Sequence, residues 1–259
     1  MYAMSEAEVV RYEVVDRVAW LTIDRPEARN ALSRTVRAGL WDGVRRFNDD
    51  ESAGVLVLTG AGDKAFCAGG DLKEMAEEGL QVPPPDFLPM AGRNIDVDKP
   101  TIAAVNGVAF AGGFLLAQYC DLCIAAEHAR FAITEAKVGR GSPWAAPLPW
   151  LIPPRVAMQL VLTAEPIDAR RAYEIGLVNV VVPGDDLRDA AQAMAQTILA
   201  NAPLSVRAGK RTIYAAAGAA FSDVFDEADR IWEPAYVSAD AQEGPTAFRE
   251  GRTPRWQGR

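Results

Sequence analysis

The sequence contains one histidine, His128, and three cysteines, Cys67, Cys120 and Cys123. One histidine excludes any metal centre built from several of them. It also leaves a Ser–His–Asp or Cys–His scheme a single ring to use. His128 stands in the polar stretch AEHAR, where a solvated loop histidine is the simpler reading. An odd, sparse cysteine set gives no disulfide framework and fits a reduced compartment. Cys120 and Cys123 form a CxxC inside the apolar run YCDLCIAA. No second ligand pair completes a zinc site, so that run reads as a buried strand. No apolar run approaches the roughly 20 residues that span a bilayer. The N-terminal MYAMSEAEVV lacks a basic segment followed by an apolar one, so no leader is read there. The expectation is a cytoplasmic protein with no membrane partner. Basic excess is missing too: 27 Lys and Arg face 35 Asp and Glu, a net charge of −8. That argues against nucleic acid as a partner.

What is present is a large apolar fraction, 49% of 259 residues, enough for a real core. Two glycine-rich stretches stand out, FCAGGDL at Phe66–Leu72 and NGVAFAGG at Asn106–Gly113. Each follows an apolar run that reads as a strand and precedes a segment that reads as a helix. Such turns point backbone N–H groups into one space. Two on neighbouring strands can aim two donors at one oxygen, which is an oxyanion hole and suits enolate or acyl chemistry.

Strand patterns fall at 9–12, 18–23, 54–59, 101–105, 122–126 and 177–182, with a hairpin through Asp16-Arg17. Helix patterns fall from Ser33, an N-cap, to about Phe47, from near Asp71, and over 112–119, 154–162, 168–175, 185–200, 204–215 and 222–236. Alternating strands and helices predict an α/β fold with parallel sheet. QVPPPDFLPM at 81–90 reads as a mobile loop over a site. The expected division is a core over 1–199 and a C-terminal helical region over 200–259.

The sequence closely resembles the crotonase superfamily, the enoyl-CoA hydratase and isomerase group. The resemblance rests on DRPEARNAL, KAFCAGGDLKEM, KPTIAAVNGVAFAGG, CDLCIAAEHARFAITEAKVG, LVLTAEPIDARRAYEIGLVNVVVP and DAQEGPTAFREGRTPRW, in order and over nearly the whole chain. It implies a crotonase-like spiral of ββα units with a C-terminal helical trimerisation region. It implies an acyl-CoA thioester substrate, a homotrimer or dimer of trimers, and no cofactor beyond the coenzyme A of the substrate. By position it places the oxyanion hole on the N–H groups of Gly70 and Gly112. CoA contacts fall on Ala28, Arg29, Ala31, Ala68, Asp71 and Leu72, with Arg249 and Arg252 as candidates near the nucleotide end. Asp71 also reads as a plain helix N-cap.

The departures from the family bear on the chemistry. Hydratases of the group resemble one another in having two glutamates. One is present as Glu135; the other position holds Leu115. Hydration needs a water held and activated, work that two carboxylates share. The glycine-rich turn that commonly follows is here GSPWAAP, with Pro143 and Trp144. Phe87, Phe114, Leu115, Pro143 and Trp144 are the expected acyl pocket. A dry pocket raises the pKa of Glu135 and makes it a better base at neutral pH. One base beside an oxyanion hole resembles the single-glutamate enoyl-CoA isomerases. A hydratase, another crotonase-type lyase, a decarboxylase or hydrolase, and a non-catalytic acyl-CoA binding protein stay open as alternatives.

Overall fold

The structure, a computed structural model, describes residues 9–77, 79–217 and 224–259. Its strands are β1 (Val10–Val15), β2 (Val18–Ile23), β3 (Val55–Gly60), β4 (Ala65–Cys67), β5 (Thr101–Val105), β6 (Val108–Phe110), β7 (Leu122–Ala126), β8 (Arg130–Ala132), β9 (Ile167–Asp168) and β10 (Val180–Val182). Its helices are α1 (Arg34–Asp49), α2 (Leu72–Glu77), α3 (Gly112–Gln118), α4 (Leu148–Leu151), α5 (Pro154–Thr163), α6 (Ala169–Glu174), α7 (Leu187–Leu199), α8 (Pro203–Ala217), α9 (Val224–Tyr236) and α10 (Ala239–Glu250).

A six-stranded sheet runs in the order β1-β2-β3-β5-β7-β10, and a four-stranded sheet in the order β4-β6-β8-β9. The β1–β2 hairpin is antiparallel, closing through Asp16 and Arg17 with φ of 49° and 65°. Two consecutive positive φ values match the right-handed twist of the flanking strands. From β2 to β10 the large sheet is parallel. Three inner strands of the large sheet are each followed by a short strand of the small one: β3 by β4, β5 by β6, β7 by β8. The chain therefore winds as a spiral, stepping one strand along both sheets at each turn. The expected α/β class and ββα repeat hold.

Alternation along the large sheet sorts its side chains to two faces. Trp20, Val57, Ile102 and Ile124 face Leu187, Ala191 and Ala195, which share one stripe of α7. Leu21, Leu56, Ala103 and Cys123 face the larger core with Leu40 and Phe47 of α1 and with α3. Both faces are covered, so the strands read as continuous apolar runs.

Several predicted bounds shift. β1 extends to Val15, and the strand at 177–182 shortens to β10. α9 begins at Val224 among the described residues; Ser222 and Asp223, where its start was placed, lie outside them. The small sheet and α10 were not predicted. Ser238 caps α10 by accepting from the Ala241 N–H at 3.2 Å.

Candidate active site

Two buried asparagines assemble the site. Asn30, wholly buried, accepts from the Arg25 N–H at 3.0 Å and donates to the Ala61 and Ala65 carbonyls at 3.0 and 2.7 Å. Asn106 accepts from the Gly60 N–H at 3.2 Å and donates to the Gly62 carbonyl at 2.6 Å. The DRPEARNAL turn, the segment between β3 and β4, and the second glycine loop are thereby tied at one point. Buried amides that satisfy backbone groups this way hold loops rigidly.

The first glycine loop lies along the DRPEARNAL turn. Ala68 donates to the Arg29 carbonyl at 3.1 Å, and Leu32 donates to the Gly69 carbonyl at 2.8 Å. Leu32 and Gly70 form a parallel bridge. In that bridge Leu32 reaches the neighbours of Gly70, so the Gly70 N–H faces away from the turn. Gly112 is the first residue of α3, where an N–H has no acceptor within the helix. The preceding Ala111 has φ 50° and ψ −116°, a conformation that L-residues adopt only at a cost of about 1–3 kcal/mol. Its N–H is anchored to the Ala132 carbonyl at 2.9 Å. This turned peptide aims the Gly112 N–H out of the helix. Neither glycine N–H meets an acceptor among the described residues. The loops touch: a Cβ built on Gly112 would lie 3.8 Å from the Gly69 Cα. Ala111 carried no signal in the sequence.

Glu135 follows β8 and opens a short 3-10 turn, Glu135–Val138. Its Oε1 accepts from the Trp144 indole N–H at 3.1 Å. Its Oε2 is buried without a hydrogen-bond partner. Burial pushes the carboxyl above its usual range, while its own main-chain N–H and the Trp144 indole act in the opposite sense. Trp144 and Phe114 pack with ring centroids 5.9 Å apart, and Phe114 meets Phe131 edge-on at 6.3 Å. Leu115 is buried at 5% exposure in the same apolar cluster. Trp144 thus brings a hydrogen-bond donor to the base as well as bulk, which the sequence reading had not assigned.

The other expected residues spread along the loops. Ala28, Ala31 and Ala68 are half-buried, and Arg29 and Leu72 are exposed. Asp71 pairs with Arg25 at 2.8 Å, which holds its carboxyl below the usual range. It also accepts from the Glu74 N–H at 3.4 Å, as a helix cap does. Phe87 turns to α1, beneath the Arg37 guanidinium at 4.4 Å. Its neighbour Leu88, at 1% exposure, instead approaches the second glycine loop, 3.7 Å from a Cβ built on Gly112. Pro143 is exposed. The 81–90 loop is tied down by Trp41 donating to the Asp86 carbonyl at 2.7 Å and by Asn94 donating to the Pro85 and Leu88 carbonyls. Arg252 is held by Glu243 at 2.6 Å, and Arg249 is exposed.

His128 serves the fold: its Nε2 lies 2.9 Å from the Asp63 carbonyl and 3.1 Å from that of Asn106. A cleft of about 710 Å³, lined in part by Arg17, Gly54, Pro100 and Trp256, sits at the opposite ends of the parallel strands from the glycine loops. No helix among the described residues is long and apolar enough to cross a membrane.

Comparison with known proteins bears on this geometry. The enoyl-CoA hydratase/isomerase family pattern matches residues 13–259. A carnitinyl-CoA dehydratase of Salmonella choleraesuis (strain SC-B67) is 39% identical over 250 residues, spanning 92% of this chain and 94% of that protein. The crystal structure of an enoyl-CoA hydratase from Mycobacterium tuberculosis H37Rv is similar at a TM-score of 0.86 and 39% identity, covering 97% of this chain and all of that one (100%). An enoyl-CoA hydratase/isomerase from Mycobacterium paratuberculosis has a TM-score of 0.87 at 30% identity, covering 97% and 99%. With its spiral fold and its paired glycine loops beside a half-buried glutamate, the chain belongs to the enoyl-CoA hydratase/isomerase family of the crotonase superfamily.

Proposed function

We propose that the protein acts on acyl-CoA thioesters by stabilising a thioester enolate, and that its reaction is the shift of a double bond in an enoyl-CoA. The observation that carries this reading is the asymmetry of carboxylates at the site. Glu135 is half-buried with one oxygen free, and apolar Leu115 stands where hydratases of the family resemble one another in carrying a second glutamate. The thioester oxygen sits between the Gly70 and Gly112 N–H groups. Glu135 removes a C2 proton from a 3-enoyl-CoA, leaving a dienolate whose charge rests on the thioester oxygen. Each N–H donor to that oxygen contributes about 3 kcal/mol. Glu135 then delivers the proton to C4, and the double bond lies between C2 and C3. Burial favours this shuttle, because a carboxyl with a raised pKa is a stronger base when ionised and a ready acid when protonated.

The CoA moiety runs along Ala28, Arg29, Ala31, Ala68, Asp71 and Leu72, mostly through main-chain contacts. Exposed apolar side chains on α4 and α5, Trp150, Met158 and Leu162, support assembly of several copies, in the trimer or dimer of trimers that the family resemblance implies.

A second reading, water addition or elimination, is favoured by the relatives named dehydratase and hydratase. It is also favoured by two further buried polar atoms without partners, Gln118 Oε1 and Arg140 Nη2, which a water would satisfy. The test of the shared chemistry is Glu135→Gln. It abolishes turnover and leaves CoA-ester binding nearly intact; loss of binding together with activity contradicts the role assigned to Glu135.

A further inference from the structure

The two oxygens of Glu135 are not equivalent. Oε1 is held by the indole N–H of Trp144 at 3.1 Å, and Oε2 is buried and unpartnered. Trp144 is itself fixed from one direction. Its carbonyl accepts from Gln118 Nε2 at 3.0 Å and from the Tyr119 hydroxyl at 3.4 Å. Its ring packs on Phe114 at 5.9 Å with a tilt of 41°. Phe114 and Gln118 belong to α3, and Tyr119 is its C-cap residue. Gly112, whose N–H is half of the oxyanion hole in the reading above, is the first residue of the same helix.

We propose that Trp144 is a positioning residue that divides the work of Glu135 between its oxygens. The indole N–H fixes Oε1, which leaves Oε2 as the oxygen that exchanges protons with substrate. Gln118 locks Trp144 in that pose, so one short helix sets both the enolate-binding N–H and the direction of the base. This inference rests on Glu135 being the base.

The energetics agree with the geometry. A hydrogen bond to an ionised acceptor is shorter and stronger than one between neutral groups, while a free carboxylate loses orientation. Three influences act on the Glu135 carboxyl: burial, which raises its pKa, then its own main-chain N–H and the Trp144 indole, which lower it. The charged groups of the same turn are engaged elsewhere. Lys137 pairs with Glu165 at 2.9 Å; Arg140 Nη1 donates to the Leu80 carbonyl at 2.6 Å, with its Nη2 buried and without a partner, and it stays a cation in both wild type and variant. Across the site Gln118 is neutral, and burial raises the pKa of the Tyr119 hydroxyl, keeping it protonated. Removing the indole N–H therefore changes the base without changing the charges around it.

The test is Trp144→Phe, which keeps the aromatic body and deletes the donor. The expected result is a kcat lower by about tenfold, an unchanged KM for the acyl-CoA, and an acid limb of the kcat profile displaced to higher pH, since the indole holds the Glu135 pKa down. A variant with wild-type kcat and an unmoved limb overturns the proposal. So does one that only melts earlier or raises KM with the limb in place, since that is packing alone. If Trp144→Phe does not fold, Gln118→Leu keeps the indole and loosens its anchor; its limb moves the same way by less, and an unmoved limb overturns the proposal equally. An active Glu135→Gln variant removes the base reading itself. An inactive one combined with an unmoved Trp144→Phe limb removes the positioning role alone.

Discussion

Gly113 packs so closely on the Cys67 carbonyl that no Cβ fits between them; a Cβ would overlap the oxygen and come within 2.9 Å of the carbonyl carbon. Cys67 ends β4 and Gly113 is the second residue of α3, so this contact seats the helix on the small sheet. Gly70 differs. A Cβ there would meet only Met75 Sδ within 3 Å, the far end of a flexible side chain.

Gly113→Ala is therefore expected to lose about 3 kcal/mol of stability or fail to fold, because backbone on both sides has to move. Gly70→Ala folds with a loss under about 1 kcal/mol and affects turnover instead. Denaturant midpoints of the two variants check this; equal midpoints contradict the packing argument.

The raised pKa of Glu135 has a consequence for stability. A carboxyl that binds its proton more tightly in the folded chain than in the unfolded one destabilises the fold as pH rises. The loss begins near the ordinary value of 4.5 and is complete above the raised folded value. Glu135→Gln removes the buried charge. It should raise the melting temperature at pH 8, by about 2–4 °C for each kcal/mol relieved, with no gain at pH 4. A melting temperature unchanged at both pH values contradicts the burial cost.

Arg25 joins the DRPEARNAL turn to the first glycine loop through Asp71 at 2.8 Å. Both side chains are mostly shielded, at 28% and 17% exposure. Arg25→Met leaves Asp71 without its partner and frees the loop that carries the Gly70 N–H. KM for the acyl-CoA should rise about five- to tenfold, equivalent to about 1–1.4 kcal/mol. Steady-state kinetics at low and high salt check it, and an unchanged KM contradicts the coupling.

The large sheet was legible because its strands are long apolar runs bounded by turn residues, as in TIAAV before Asn106. The glycine loops were legible because glycine marks close backbone approach. The small sheet was not. β4, β6 and β8 are three residues each, too short for any period to register, and β4 and β6 overlap those loops. α10 was missed because Gly244 and Pro245 interrupt its pattern, although the Ser238 cap was in view. Glu135, Gly70 and Gly112 were singled out through the family resemblance. Leu88 and Asn30 were not, because their roles depend on what three separate loops bring together. Trp144 was noted as bulk; that its N–H reaches Glu135 is a matter of side-chain direction.

The most direct test of the central claim is a product assay. The purified protein is incubated in parallel with a 3-enoyl-CoA and a trans-2-enoyl-CoA, and the products are weighed by mass spectrometry. The account predicts conversion of the 3-enoyl ester to its 2-enoyl isomer with no change in mass, lost in Glu135→Gln. A gain of one water by the 2-enoyl ester, with the 3-enoyl ester untouched, contradicts it. That outcome would place another polar group in the role that Leu115 cannot fill.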